Sequence, residues 1–143
     1  MSEEKNKSFE YRIKHDRDFV IEQHRKMWRY IANEVLKGEY SILMLKLGYI
    51  EKQTKDKIKN NCFLCNYASR KNDFKTMCTM CPIVWKRGFC CNYGSEYNKF
   101  MKFICMLLYE EYVNEKEKKH LIRRASKLAY NISELPERKE CDV

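Results

Sequence analysis

At 143 residues the chain is long enough to bury one real core, and its 13% aromatic content is too rich for a disordered protein despite 34% charged residues. Four glycines and two prolines leave few breakers, so a mainly α fold is expected. A formal net charge of +9, from 29 basic and 20 acidic side chains, excludes an acidic mimic of nucleic acid. No apolar run reaches the roughly 18 residues that a membrane-spanning helix needs.

The opening residues, Met1 to Lys7, carry no apolar stretch of the signal-peptide kind, so a cytosolic protein is expected. There its eight cysteines stay reduced and available to a metal. From Phe9 the apolar positions recur at helical spacing: Phe9, Ile13, Val20, Met27, Ile31 and Val35, widened by Phe19, Trp28, Ala32 and Leu36. This pattern predicts one long first helix, started near Ser8 or capped by Asp16 or Asp18, and stopped at Gly38. Trp28 is expected to anchor the core, and His24 to be a semi-buried, satisfied histidine rather than a ligand. Glu39 to Leu47, closed by Gly48, is a short apolar piece expected to pack on that helix. Glu51 to Asn61, with Lys52, Lys55, Lys57 and Lys59, is so polar that it reads as a solvated helix or a linker.

The stretch from Cys62 to Cys91 carries the chemistry. Cys62-Phe-Leu-Cys65 and Cys78-Thr-Met-Cys81 are two Cys-x-x-Cys pairs joined by a loop, and Cys90-Cys91 follows. Each pair can form a tight knuckle whose sulfurs point at one ion, and a closed tetrahedron of thiolates is what structural Zn²⁺ prefers. Cys62, Cys65, Cys78 and Cys81 form the simplest closed set. The alternative keeps Cys62, Cys65 and Cys81 and takes Cys90 or Cys91 as the fourth ligand. Asn66 to Thr76 reads as a loop. Pro82 suits the first position of a short helix in which Ile83, Val84 and Trp85 pack beneath the metal. Bound zinc would lower the working charge to about +7.

Ser95 with Glu96 opens the next helix, whose stripe runs through Phe100, Phe103, Ile104, Leu107, Leu108 and Tyr112. Cys105 is expected as a small buried side chain on its apolar face. Asn114 followed by Glu117 resembles a capping box. Leu121, Ala125, Leu128, Ile132 and Leu135 then repeat at four, three, four, three, a seam read as packing within the chain and ended by Pro136. The charged tail from Glu137 to Val143, which holds Cys141, is expected to be loose. The whole is expected to be a single helical bundle over 1–143, with a zinc knuckle inserted at about 62–94.

His24-Arg25-Lys26-Met27-Trp28, Ile31-Ala32, the segment Asn61 to Tyr67, and Cys81-Pro82-Ile83-Val84-Trp85 together resemble a group of small bacteriophage proteins. Those proteins share an H-R-K-x-W helix, a C-x-L-C-x-Y knuckle, a C-P-x-x-W segment and a further cysteine downstream. The likeness spans residues 24–91. It implies a phage protein in the bacterial cytosol, with zinc and a helical body, and brings no activity with it.

Known chemistries fit poorly. A zinc deaminase needs Pro-Cys-x-x-Cys with His-x-Glu, whereas here the proline follows the second cysteine and no histidine begins His-x-Glu. Four thiolates leave no open metal position for hydrolysis, and there is no Gly-rich phosphate loop. A non-catalytic protein is therefore expected. Residues 62–94 hold Arg70, Lys71, Lys75, Lys86 and Arg87 against Asp73 alone, while residues 95–143 are nearly balanced. That basic zinc face is the expected partner-binding surface. One reading is a host protein, bound through an acidic patch or nucleic-acid groove in host takeover or counter-defence. The alternative is nucleic acid, with Tyr67, Phe74, Trp85, Phe89 and Tyr93 as stacking platforms. A small anionic signalling molecule is a further ligand class.

Overall fold

The computed structural model describes residues 8–55, 62–68, 81–85, 90 and 94–138. The fold is mainly α: α1 (Phe9–His15), α2 (Arg17–Leu36), α3 (Ile42–Gln53), α4 (Phe63–Ala68), α5 (Glu96–Leu108) and α6 (Glu115–Ser133). Among the described residues the sole extended pairing is an isolated antiparallel bridge between Ile83 and Glu137.

The long first helix expected from the periodicity is broken. Ser8 accepts a hydrogen bond from the Tyr11 N–H at 3.1 Å and starts α1. Asp16 then turns extended and accepts from the Phe19 N–H, also at 3.1 Å, to start α2. Two of the three candidate starts, Ser8 and Asp16, are therefore used while Asp18 lies in the first turn of α2, because an aspartate satisfying an N–H two or three residues ahead is worth more at a helix start than inside one. Gly38 ends the run at φ 93°, a left-handed position that glycine takes at no steric cost.

Gly48 does not stop α3, which runs on through residues read as linker. A Cβ at Gly48 would meet nothing within 4 Å, so the glycine is only a weak point in a helix held by Ile42, Leu45, Tyr49 and Ile50 against the core. The outer side of α3 leaves Leu43, Met44 and Leu47 exposed.

Helices α2 and α6 are the main packed pair, and they run antiparallel. Going down α2, Ala32 receives the buried Ser126 hydroxyl at 2.8 Å, His24 meets Ile132, and the Arg25 guanidinium donates to the Leu135 carbonyl at 3.2 Å. Alanine and serine at 125, 126, 129 and 133 let the backbones approach, and Trp28, Ile31 and Ile132 fill the seam. The expected intramolecular seam is thus what α6 uses. Its start is capped as expected: Asn114 accepts from Glu117 N–H at 2.9 Å, while Glu117 reaches back to Val113 N–H at 2.7 Å. Cys105, by contrast, is exposed: Phe100, Ile104 and Leu107 form the buried side of α5, and Cys105 lies off it. Tyr112 falls beyond the end of α5.

One hydrophobic cluster takes residues from every helix and from the Cys81–Trp85 segment. Phe63, Leu64, Ile83 and Trp85 are buried in it beside Ile13, Trp28 and Phe100. The knuckle region is therefore built onto the helical core, at about 2–3 kcal/mol for each large side chain it buries.

Candidate metal centre

Cys62 stands directly before α4. Six residues cannot hold a helix on propensity, so α4 depends on Phe63, Leu64 and Tyr67 entering the core, where the Phe63 ring meets Phe9 and Tyr49 at 5.7 and 6.2 Å. The loop expected at Asn66 to Thr76 thus begins as helix as far as Ala68. The turn lets the Cys65 thiol and the backbone N–H groups of Leu64 and Cys65 donate to the Cys62 sulfur. The Cys65 hydrogen bond, chiefly, with help from Lys46, pulls the Cys62 thiol below its ordinary value against the effect of burial. Cys65 is pushed up by holding that hydrogen bond, by burial, and by the charges of Cys62, Cys90 and Cys81. The two thiols thus form one hydrogen-bonded pair in which Cys65 donates to the Cys62 sulfur.

The second half of the site is extended, not helical. Proline has no N–H, so after Cys81 the first backbone donor is Ile83, and it faces the Cys81 sulfur. Ile83 then pairs with Glu137, Val84 N–H donates to the Pro136 carbonyl at 2.9 Å, and Arg138 N–H donates to Pro82 at 2.7 Å. Side chains alternate accordingly: Ile83 and Trp85 point inward, and Val84 is exposed. The expected helix after Pro82 is absent because the tail residues 136–138 supply a strand partner. Those residues are not loose. Arg17 donates to the Arg138 carbonyl, Arg17 and Arg25 each lie 3.7 Å from the Glu137 carboxylate, and Arg138 Nε donates to the Cys81 carbonyl at 2.9 Å. Burial raises the Cys81 pKa, opposed by the Ile83 N–H, the Trp85 indole and Arg138. The indole lacks a hydrogen bond of normal geometry, so its effect on Cys81 is that of a nearby N–H dipole.

Cys90 is tied to the start of α5, where the Ser95 hydroxyl donates to its carbonyl and also caps the helix through the Asn98 N–H at 3.1 Å. Its charge acts on Cys65, Lys46 and Tyr97. Cys62, Cys81 and Cys90 pack against the same hydrophobic cluster, and with Cys65 they are half-buried and in no disulfide. Cys78 and Cys91 lie outside the described residues, as do Arg70, Lys71, Lys75, Lys86 and Arg87.

Among the described residues no three His, Cys, Asp or Glu side chains are already arranged as ligands of one ion. Zn–S bonds of about 2.3 Å would hold the sulfurs about 3.8 Å apart. The cysteines that would hold the expected zinc are thiol donors of the type zinc prefers, and backbone N–H groups lie against the Cys62 and Cys81 sulfurs.

Two neighbours were not apparent from sequence. Lys46, on α3, is only 7% exposed, and its ammonium lies 5.3 Å from the Trp28 ring centroid and 5.2 Å from that of Tyr97. Burial lowers its pKa while the charges of Cys62, Cys65 and Cys90 raise it. Tyr97 is pushed up by burial and by the same three sulfurs. The available signal was a single lysine inside the apolar run Ile42 to Ile50, at helical spacing from Ile42, Tyr49 and Ile50.

His24 is fully buried rather than semi-buried, edge-on to Trp85 at 6.1 Å. Its ring donates to the Ile132 carbonyl, which makes Nδ1 the donor because Nε2 has no partner. Burial takes its pKa down to about 3. Compared with known protein families, curated proteins and solved structures, the chain matches none.

Proposed function

We propose that this chain is a non-catalytic, zinc-stabilised binding protein, phage-encoded, that acts in the bacterial cytosol by occupying a host protein. The observation that carries the reading is the hydrogen-bonded Cys62–Cys65 pair, with Cys81 and Cys90 packed against the same helical core and backbone N–H donors on the Cys62 and Cys81 sulfurs. A site fastened on every side in this way suits a structural metal, and it favours Cys90 over Cys78 as the fourth ligand. The zinc would fold the segment carrying Arg70, Lys71, Lys75, Lys86 and Arg87 into a basic face that complements an acidic partner. The likeness to small phage proteins supports the host protein as that partner.

Nucleic acid is the second reading, and one observation weakens it. Tyr67 and Trp85, two of the aromatics that would stack on bases, are spent in the core at 8% and 5% exposure. The deciding experiment is an affinity capture from host lysate, with and without nuclease, using the native chain and a variant with Arg70, Lys71, Lys86 and Arg87 changed to Glu. One host protein held by the native chain in both samples, and lost by the variant, is the expected result. Loss on nuclease treatment, with binding falling linearly on a logarithmic salt scale, would turn the reading to nucleic acid.

A further inference from the structure

Because α2 and α6 run antiparallel, the end of α2 beyond the Ala32–Ser126 contact faces the early turns of α6. There Leu36 and Lys37 of one helix, with Lys118, Lys119, Ile122 and Arg123 of the other, line a cleft of about 420 Å³. Positions 118, 119, 122 and 123 share one face of α6, since a helix returns to the same side every three to four residues. The turn at Gly38, with φ 93°, brings Tyr40 to the same cleft. The lining has two characters. Leu36 is 54% exposed and, with the half-buried Tyr40 and Ile122, offers bare apolar surface. The rest is charged, four cations against the one carboxylate of Glu115.

A second cleft on the same molecule shows how unusual that balance is for this chain. It measures about 390 Å³ and is lined by Arg25, Lys26 and Arg29 with Asp18, Glu22 and Glu137. There the chain neutralises itself: Arg25 meets Glu137 at 3.7 Å, Lys26 meets Glu22 at 2.7 Å, and Arg29 meets Glu134 at 3.4 Å. In the α2–α6 cleft Lys37 is matched to Glu34 at 3.4 Å. Lys118 has the Tyr112 ring at 5.7 Å, and among the described residues Lys118, Lys119 and Arg123 form no ion pair. Lys119 and Arg123 stand one turn apart, a like-charge spacing that destabilises a helix.

We propose that this cleft binds a small phosphate-bearing molecule with an apolar body, of mononucleotide size. A phosphate monoester carries about −1.5 to −2 charges at neutral pH, which together with Glu115 balances the three unpaired cations. Arg123 supplies a planar fork for two phosphate oxygens, and the lysines supply compact point charges. The body of the ligand covers Leu36, Tyr40 and Ile122. The volume lies in the lower part of the roughly 300–1,000 Å³ range of small-molecule sites. This site is separate from the cysteines and from the basic segment 70–87, and it does not depend on zinc.

The test is calorimetric titration of the full chain at low salt with AMP, adenosine and inorganic phosphate, alongside melting with and without AMP. The native chain should bind AMP and melt higher in its presence. Adenosine and inorganic phosphate, each lacking half of the ligand, should bind about 10-fold or more weakly than AMP. Lys119→Glu and Arg123→Glu should each weaken AMP binding about 10- to 100-fold, the worth of one charged hydrogen bond. Both side chains are exposed, so melting without AMP should stay native. Leu36→Ser should weaken AMP and leave inorganic phosphate unchanged. The chain with Arg70, Lys71, Lys86 and Arg87 changed to Glu should bind AMP as the native chain does. No AMP binding, native affinity in both charge variants, adenosine or phosphate as tight as AMP, or AMP binding lost with Arg70 to Arg87 would each overturn the proposal. An acidic peptide that binds through Lys119 and Arg123 where AMP does not would give the cleft to a protein partner and overturn it too.

Discussion

His24 is expected to make the fold acid-labile well above the carboxylate range. Its imidazole is sealed between α2 and α6, beside the Trp28 and Trp85 rings, with Nε2 facing no partner. Charging it in place would put an unpaired cation in the core, with Arg25 and Lys46 adding repulsion, and so its pKa falls from 6.5 to about 3. The unfolded chain therefore binds a proton that the folded chain refuses between those two values. Stability from this group is complete above the unfolded value of 6.5 and is lost as pH falls towards 3. Each pH unit in that window is worth about 1.4 kcal/mol, so a drop to about pH 5 removes about 2 kcal/mol. That is a large share of the 5–15 kcal/mol typical of a domain. The assay is urea unfolding between about pH 8 and pH 5 for the native chain and His24→Gln, which keeps an N–H for Ile132 and has nothing to titrate. Acid effects on the thiols are common to both chains, so their difference isolates His24. Parallel loss of stability in the two chains, or an imidazole that titrates near 6.5 in the folded protein, would refute the reasoning.

Metal analysis of the purified chain should find one zinc, and its removal by a chelator should lower the melting temperature, since metal binding here is folding free energy. Cys65→Ser, Cys81→Ser and Cys90→Ser should each release it, while Cys78→Ser should retain it; zinc lost with Cys78 and kept with Cys90 would restore the paired-knuckle ligand set. Arg138→Ala, which removes the 2.9 Å bond to the Cys81 carbonyl, should cost about 1 kcal/mol and speed hydrogen exchange at Ile83 and Val84, whereas unchanged exchange would show that the tail does not hold the segment. Glu110 sits at φ 55°, a left-handed position just past α5, so Glu110→Gly should raise stability by about 1 kcal/mol in thermal or urea unfolding.

Several features were legible because they are local. Ser8, Asp16, Ser95 and Asn114 cap helices in the structure as their side chains suggest, since a cap needs only an N–H two or three residues away. The stripe of α2 and the seam of α6 follow from spacing, which a helix converts directly into one face. Where local cues competed, sequence could not rank them. Asp16 could continue a stripe or cap a new helix, and it caps. Gly48 could end α3 or be carried through it, and burial of Tyr49 and Ile50 carries it through.

Composition and periodicity were enough to define a helical protein with a cysteine-rich region, because helix formation and thiol chemistry are properties of short stretches. Partners distant in the chain settled the rest. The Pro82 segment is extended because Glu137, more than fifty residues later, offers it a bridge held in place by Arg17 and Arg25. Cys105, on an apolar-looking helix, faces outward because α6 covers a different side of α5. Lys46 is in sequence one lysine within an apolar run, and only the Trp28 ring of α2 and the Tyr97 ring of α5 show where its ammonium lies. Desolvation and charge pairing depend on which groups the completed fold brings to one point, and sequence spacing carries no record of that.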